Sequence, residues 1–248
     1  MDNQKVALVT GGMGGLGTAI CRRLHDAGFR VATTYSPGNA APEGWLAAQR
    51  DDGYRFRGYK VDVADFADAE WMMQRLLADM GRIDVLVNNA GITRDRSLLK
   101  MSQADWSEVM RANIDSVFNL CKQAIEPMIA QRWGRIINIS SVNGQKGAFG
   151  QANYAASKAA MHGFTKASAL ELARHGITVN TVSPGYLRTK MVEQVPEDVM
   201  RTRILPQIPV GRLGEPAEVA GLIAYLSSDD AAFVTGANIA INGGQHMC

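Results

Sequence analysis

KVALVTGGMGGLGTAI, residues 5–20, decides the fold: a β-branched run leads into a turn crowded with glycines, which opens an apolar, helix-forming stretch. A strand feeding such a loop into a helix places backbone N–H groups and the positive end of the helix dipole where a pyrophosphate can sit. The glycines fit two templates. Gly12, Gly14 and Gly17 match G-x-G-x-x-G, whereas Gly11, Gly15 and Gly17 match the longer T-G-x-x-x-G-x-G, and the loop alone does not choose between them.

Working outward, one pattern recurs along the chain. A helical stretch, a glycine and a short β-branched run follow one another in AGFRVATT, GYRFRGYKV, MGRIDVLVN, WGRIINIS and HGITVNTVS. Glycine after a helix supplies a left-handed stop, and Val/Ile-rich runs of this length suit strands buried on both faces. With KVALVT at one end and ANIAING at the other, seven strands result. Helices are expected near 16–27, 42–52, 66–80, 104–131, 152–174 and 215–227, long enough for right-handed crossovers between parallel neighbours. The expectation is an α/β protein: a single doubly wound (Rossmann) domain over 1–248 with about seven parallel strands. The Pro-bearing interval 184–216 is the longest break, and a substrate lid is expected at about 187–210.

Composition narrows the partners. The 248 residues are 46% hydrophobic and 20% charged with a net charge of +2, and no run of like charges marks a nucleic-acid or membrane surface. Cys21, Cys121 and Cys248 have no C-x-x-C spacing, and the four histidines have no metal spacing, so neither a disulfide framework nor a metal is expected. The N-terminal stretch lacks a signal layout, and no apolar run approaches the ~18 residues of a membrane span. Small-molecule partners and a cytoplasmic location are the expectation.

At the end of strand two, where an NAD site usually carries an acid for the ribose hydroxyl, this chain reads ATTYSPGN. With no carboxylate to repel a 2′-phosphate and with Tyr35, Ser36 and Asn39 as hydrogen-bonding groups, NADPH is favoured. A charge partner would come from elsewhere, such as Arg22 or Arg23. Further on, ANYAASK sets Tyr154 and Lys158 four apart on one helix face. An ammonium ~5 Å from a phenol at an effective dielectric of ~20 is worth ~3 kcal/mol, or about 2 pK units off a tyrosine of ~10. Such a tyrosine can exchange a proton with a carbonyl oxygen while a nicotinamide moves hydride. RIINISS ends at the same sheet edge with Ser140 and Ser141, either of which can hold a substrate oxygen.

Through TGGMGGLG, NNAG (88–91), the Asn113 helix, Ser141, YAASK and SPG (183–185), the chain resembles the short-chain dehydrogenase/reductase family over its whole length. The resemblance implies the longer template, with Gly11, Met13, Gly14, Gly15, Leu16 and Gly17 around the cofactor. It selects Ser141 as catalytic with Asn113, Tyr154 and Lys158, leaving Ser140 structural, and has Asn113 hold a water that links Lys158 to solvent. It also implies that Asp62 and Val63 border the adenine, that Asn89, Ala90 and Gly91 line the ribose and the strand-four edge, that Pro184 and Gly185 border the cofactor, and that Thr189 meets the carboxamide or a phosphate.

Within the family, NNAGITRD, ISSVNGQKG, SPGY and NGGQHM are most similar to reductases of 3-oxoacyl thioesters, those of acetoacetyl-CoA in polyhydroxybutyrate synthesis first and acyl-carrier-protein reductases next. That likeness implies a substrate pocket of Asp95, Ser141, Phe149, Gln151, Tyr154 and Tyr186, with Ala148 where such relatives more often carry Gln. For Phe149, a plain anchor of its loop to the core is an equal reading. His162 is expected to pack rather than react. A homotetramer is implied through helices 104–131 and 152–174 and the last strand. From other classes, an inactive nucleotide-sensing module conflicts with the intact tetrad, and a methyltransferase has no use for Gly11, Gly15 and Gly17.

Overall fold

A computed structural model describes residues 4–189, 192 and 195–247. Seven parallel strands form one sheet: β1 (Val6–Val9), β2 (Arg30–Tyr35), β3 (Phe56–Lys60), β4 (Val85–Asn88), β5 (Gly134–Ile139), β6 (Ile177–Pro184) and β7 (Asn238–Ile241). Their spatial order is β3-β2-β1-β4-β5-β6-β7. The order reverses beside β1, so the crevice between the carboxyl ends of β1 and β4 is where a doubly wound sheet binds its ligand.

Alternation within the strands builds two cores. Val6 and Leu8 face one side with Met72, Met73 and Leu76 of α3 (Phe66–Met80) and Leu120 and Met128 of α5 (Ser116–Gln131). Ala7 and Val9 face the other with Ile20 and Leu24 of α1 (Gly15–Asp26) and Val219 and Ile223 of α8 (Pro216–Leu226). Both faces of the sheet are dry, which is why the strands read as continuous apolar runs. Among the described residues the other α-helices longer than one turn are α2 (Pro42–Asp51), α4 (Gln103–Met110), α6 (Val142–Lys146) and α7 (Ala152–Leu172).

Two details differ from the sequence pattern. In WGRII the left-handed stop is Arg132 (φ +53°) rather than the glycine, and Gly134 lies so close beneath Met128 that a Cβ would stand 2.7 Å from its sulfur. The expected helix 104–131 is interrupted by a π turn, Arg111–Asp115, between α4 and α5. One extra residue in a turn breaks the regular i→i+4 ladder. Asn113 sits in the middle of it.

Of the interval 187–210, Lys190, Met191, Glu193 and Gln194 lie outside the described residues. Its described part carries its own small apolar cluster, with Ile204 and Ile208 buried beside Leu213 and Tyr186, Val192, Val195, Met200 and Leu205 packed around them.

Candidate active site

The glycine loop is built by close approach. Gly11 has φ +61°, and a Cβ there would stand 3.1 Å from the Ala90 Cα. At Gly12 a Cβ would fall 2.0 Å from Thr33 Oγ1, and at Gly17 2.4 Å from the Gly11 carbonyl. These three are required by the protein's own packing. Gly14 and Gly15 are not: a Cβ at Gly15 would meet nothing nearer than Thr189 Cγ2 at 3.6 Å. Helix α1 opens on Gly14 without a side-chain cap. Its first N–H groups therefore border an open cleft, where an anion can satisfy them.

The NNAG stretch holds this loop in place. Thr10 Oγ1 accepts from the N–H groups of Asn89 and Ala90, both at 2.9 Å, and Asn89 Nδ2 donates to the carbonyls of Thr10 (2.9 Å) and Gly11 (3.2 Å). The Asn89 amide thus secures the loop itself. Met13 accepts a contact from Asn39 Nδ2 at 3.3 Å and approaches Gly58 together with Tyr35. Ser36 is exposed beyond β2. Of the two arginines expected as charge partners, Arg22 is engaged by Gln49 at 2.8 Å and by Asp52. At the end of β3, exposed Asp62 accepts from Ala64 N, and the Val63 carbonyl is pinned by Asn119 Nδ2 at 3.0 Å. Leu16, in the first turn of α1, packs partly buried against the core, and Gly185 follows Pro184 with its N–H on the Ile241 carbonyl.

Tyr154 and Lys158 rise from the first turns of α7 into the same edge. Buried Asn153 fixes that helix start: its Nδ2 donates to the carbonyls of Arg94 and Asp105, and its Oδ1 accepts from Tyr154 N at 2.8 Å. Lys158 is buried, donates to the Ile139 carbonyl at 2.7 Å, and lies 5.7 Å from the Tyr154 ring centre. Burial lowers its pKa from the usual lysine range to about 8. The expected lowering of Tyr154 is not found. Withdrawal from water raises the phenol pKa, the nearby Ser141 hydroxyl offsets part of this, and the Asp95 carboxylate adds to it. In this dry site desolvation is the largest influence on the phenol, and it sets the direction of the shift.

Ser141 caps α6, its Oγ accepting from Asn143 N at 3.1 Å. Ser140 is structural, as expected: its Oγ donates to the Lys158 carbonyl at 2.8 Å and lies 3.0 Å from His162 Nε2. His162 is held below the usual imidazole range by burial and then by Lys166, so it packs as a neutral group. Asn113, fully buried, accepts from Ile92 N (2.8 Å) and donates to the Ile92 carbonyl and Ser157 Oγ (both 3.0 Å). A Cβ on Gly91 would be 3.1 Å from Asn113 Oδ1 and 3.4 Å from Lys158 Nζ, so glycine lets the three groups converge. The Asn113 amide is thus wholly engaged by Ile92 and Ser157.

On the substrate side, Gln151 Nε2 donates to Asp95 at 2.8 Å, and its Oε1 accepts from Asn143 Nδ2 at 2.9 Å. Asn143, which the sequence reading passed over, thereby joins the serine to both. Phe149 is 96% exposed, which rules out the loop-anchor reading. Tyr186 packs against the small apolar cluster of Ile204, Ile208 and Leu213. Also unanticipated is a polar ladder beneath the site, Asn88 to Asn138, Asn138 to Thr165 and Thr165 to Thr181, each step 2.8 Å. Among the described residues no His/Cys/Asp/Glu cluster could hold a metal, and no helix is long and apolar enough to cross a membrane. Burial raises the thiols of Cys21 and Cys121 to about 12, leaving them unreactive.

An uncapped glycine turn opening a helix at the carboxyl edge of the sheet, with a tyrosine that has a serine at its phenol and a lysine one turn further on, is the layout of a hydride-transferring oxidoreductase. The short-chain dehydrogenase family model matches residues 5–200, and the chain belongs to that family, whose members work with a nicotinamide cofactor. It is 50% identical over 244 residues to the acetoacetyl-CoA reductase of Cupriavidus necator, covering 98% of this chain and 99% of that one. It is 49% identical over 242 residues to nodulation protein G of Azospirillum brasilense, covering 98% of each. Identity to the 3-oxoacyl-(acyl-carrier-protein) reductase FabG of Escherichia coli is 43% over 243 residues, again 98% of each.

Proposed function

We propose that the protein is an NADPH-dependent reductase of 3-oxoacyl thioesters that converts acetoacetyl-CoA to (R)-3-hydroxybutyryl-CoA in the cytoplasm, within polyhydroxybutyrate synthesis. The observation that carries the substrate is the near-complete match, at about half identity, to curated acetoacetyl-CoA reductases. NADPH is supported by the stretch Tyr35–Asn39, which offers hydroxyl and amide groups and no carboxylate.

When bound, the reduced nicotinamide supplies hydride to the carbonyl carbon. Tyr154 donates a proton to the carbonyl oxygen; its raised pKa keeps the phenol protonated at neutral pH. Because Ser141 Oγ accepts from Asn143 N, its own hydrogen is directed elsewhere and can hold the same oxygen. Lys158, with a pKa of about 8, is poised to return a proton to Tyr154, and the π-turn carbonyl of Asn113 would anchor the water that refills it. Residues 187–210 act as a lid over the thioester, with Phe149, Gln151, Asp95 and Tyr186 around its acyl and pantetheine parts. The chain works as one domain in a homotetramer; exposed Phe118 on α5 and Leu170 on α7 support association through those helices. Sedimentation at the 26.8 kDa monomer mass across a wide concentration range would sink the tetramer.

The test is oxidation of NADPH and NADH measured side by side with acetoacetyl-CoA and an acetoacetyl acyl-carrier-protein thioester. The proposal expects NADPH and the CoA ester to give the highest kcat/KM. Negligible rates with the CoA ester beside fast carrier-protein turnover would replace it with the fatty-acid-synthesis reading.

A further inference from the structure

The mouth of the site carries an unassigned set of groups. Lys146 closes α6, one short helix beyond Ser141: five residues at 1.5 Å each, about 7.5 Å. Its Nζ donates to Gln207 Oε1 at 3.3 Å, and Gln207 Nε2 donates to the Arg203 carbonyl at 2.6 Å. One neutral side chain thus brings Lys146 against the Arg203 turn. Arg201 and Arg203 are both exposed on that turn, and among the described residues neither they nor Lys146 take part in an ion pair. Glu197 and Asp198 lie in the preceding turn without pairing to them.

We infer that Lys146 and Arg203 form the receiving site for the phosphates of the adenosine head of coenzyme A. This rests on the thioester-reductase reading and deepens it. The chemistry matches in kind: unneutralised cations attract phosphates. Position matches as well, since the pantetheine arm is longer than the helix separating Lys146 from the reacting centre. A carrier protein is the less favoured occupant. A stable protein interface covers about 800 Å² per partner, and this cluster is a few side chains around one glutamine.

The experiment compares acetoacetyl-CoA with acetoacetyl-N-acetylcysteamine, which keeps the thioester and loses the nucleotide, and with an acetoacetyl acyl-carrier-protein thioester. Arg203→Ala and Lys146→Gln are each expected to raise KM for the CoA ester about fivefold. Their kcat, and all constants for the truncated thioester, should stay at the unsubstituted values, and the salt dependence of KM for the CoA ester should flatten. Arg203→Ala disturbs no side-chain bond, so it guards against a merely loosened 195–207 segment. Equal KM changes for the CoA and truncated esters, no change for either, or a rise confined to the carrier-protein thioester would each overturn the assignment. Failure of the underlying function would look different: the unsubstituted enzyme would not turn over acetoacetyl-CoA at all.

Discussion

Lys158 Nζ stands 5.7 Å from the centre of the Tyr154 ring, and burial moves the proton affinities of the two groups apart from their solution values in opposite directions. The phenol is raised and the ammonium lowered, because each neutral form is favoured in a dry site. The pair is therefore set for proton return from lysine to tyrosine rather than for a standing tyrosinate.

Lys158 makes a signed prediction for stability. Its pKa falls from 10.5 to about 8 on burial, so between those values the unfolded chain holds a proton that the folded one has lost, and stability rises with pH. Below pH 8 the penalty is fully present, at ~3 kcal/mol. The stability of Lys158→Met minus that of the unsubstituted protein, from urea unfolding, should fall by about this amount from pH 7.5 to 10.5. A pH-independent difference would remove the buried-charge account.

The glycine loop separates packing from ligand approach. Gly17→Ala should disrupt the loop, since its Cβ would meet backbone at 2.4 and 2.6 Å, and should lower thermal stability measurably. Gly15→Ala should fold with an unchanged melting temperature but weaken NADPH binding at least tenfold in a fluorescence titration. Full NADPH affinity in Gly15→Ala would place the pyrophosphate elsewhere.

Asn113→Ala should destabilise the fold by about 3 kcal/mol, because it strands the Ile92 N–H and carbonyl and the Ser157 hydroxyl in a buried setting. Chemical denaturation measures it. A change under ~0.5 kcal/mol would mean the π turn is held by other contacts.

Cofactor choice hangs on the end of β2. Ser36→Asp introduces the missing carboxylate, and KM for NADPH should rise at least tenfold while KM for NADH improves. An unaltered ratio would show that the 2′-phosphate lies away from Ser36.

The seven parallel strands and most of the helix spans were legible because each βα unit writes its own period and glycine stop. The shared helix of Tyr154 and Lys158 was legible from their spacing, whereas the residues alone left Ser140 and Ser141 open and only the family resemblance chose between them. What escaped the sequence depends on contacts between distant segments. Neither the Asn153 ties to Arg94 and Asp105 nor the engagement of Arg22 by Gln49 leaves a local pattern. The π turn around Asn113 keeps ordinary helical composition, and the raised Tyr154 reflects burial, which spacing to a lysine does not reveal. The loop needed both templates in part: Gly11 and Gly17 come from one, Gly12 and Gly17 from the other, and packing demands all three.

The central claim is that Tyr154 gives the proton during thioester reduction. Turnover of acetoacetyl-CoA by Tyr154→Phe, with NADPH affinity titrated on the same preparation, tests it most directly. The account predicts a kcat lowered by about 10²–10⁴ with cofactor affinity kept; near-normal turnover would contradict it.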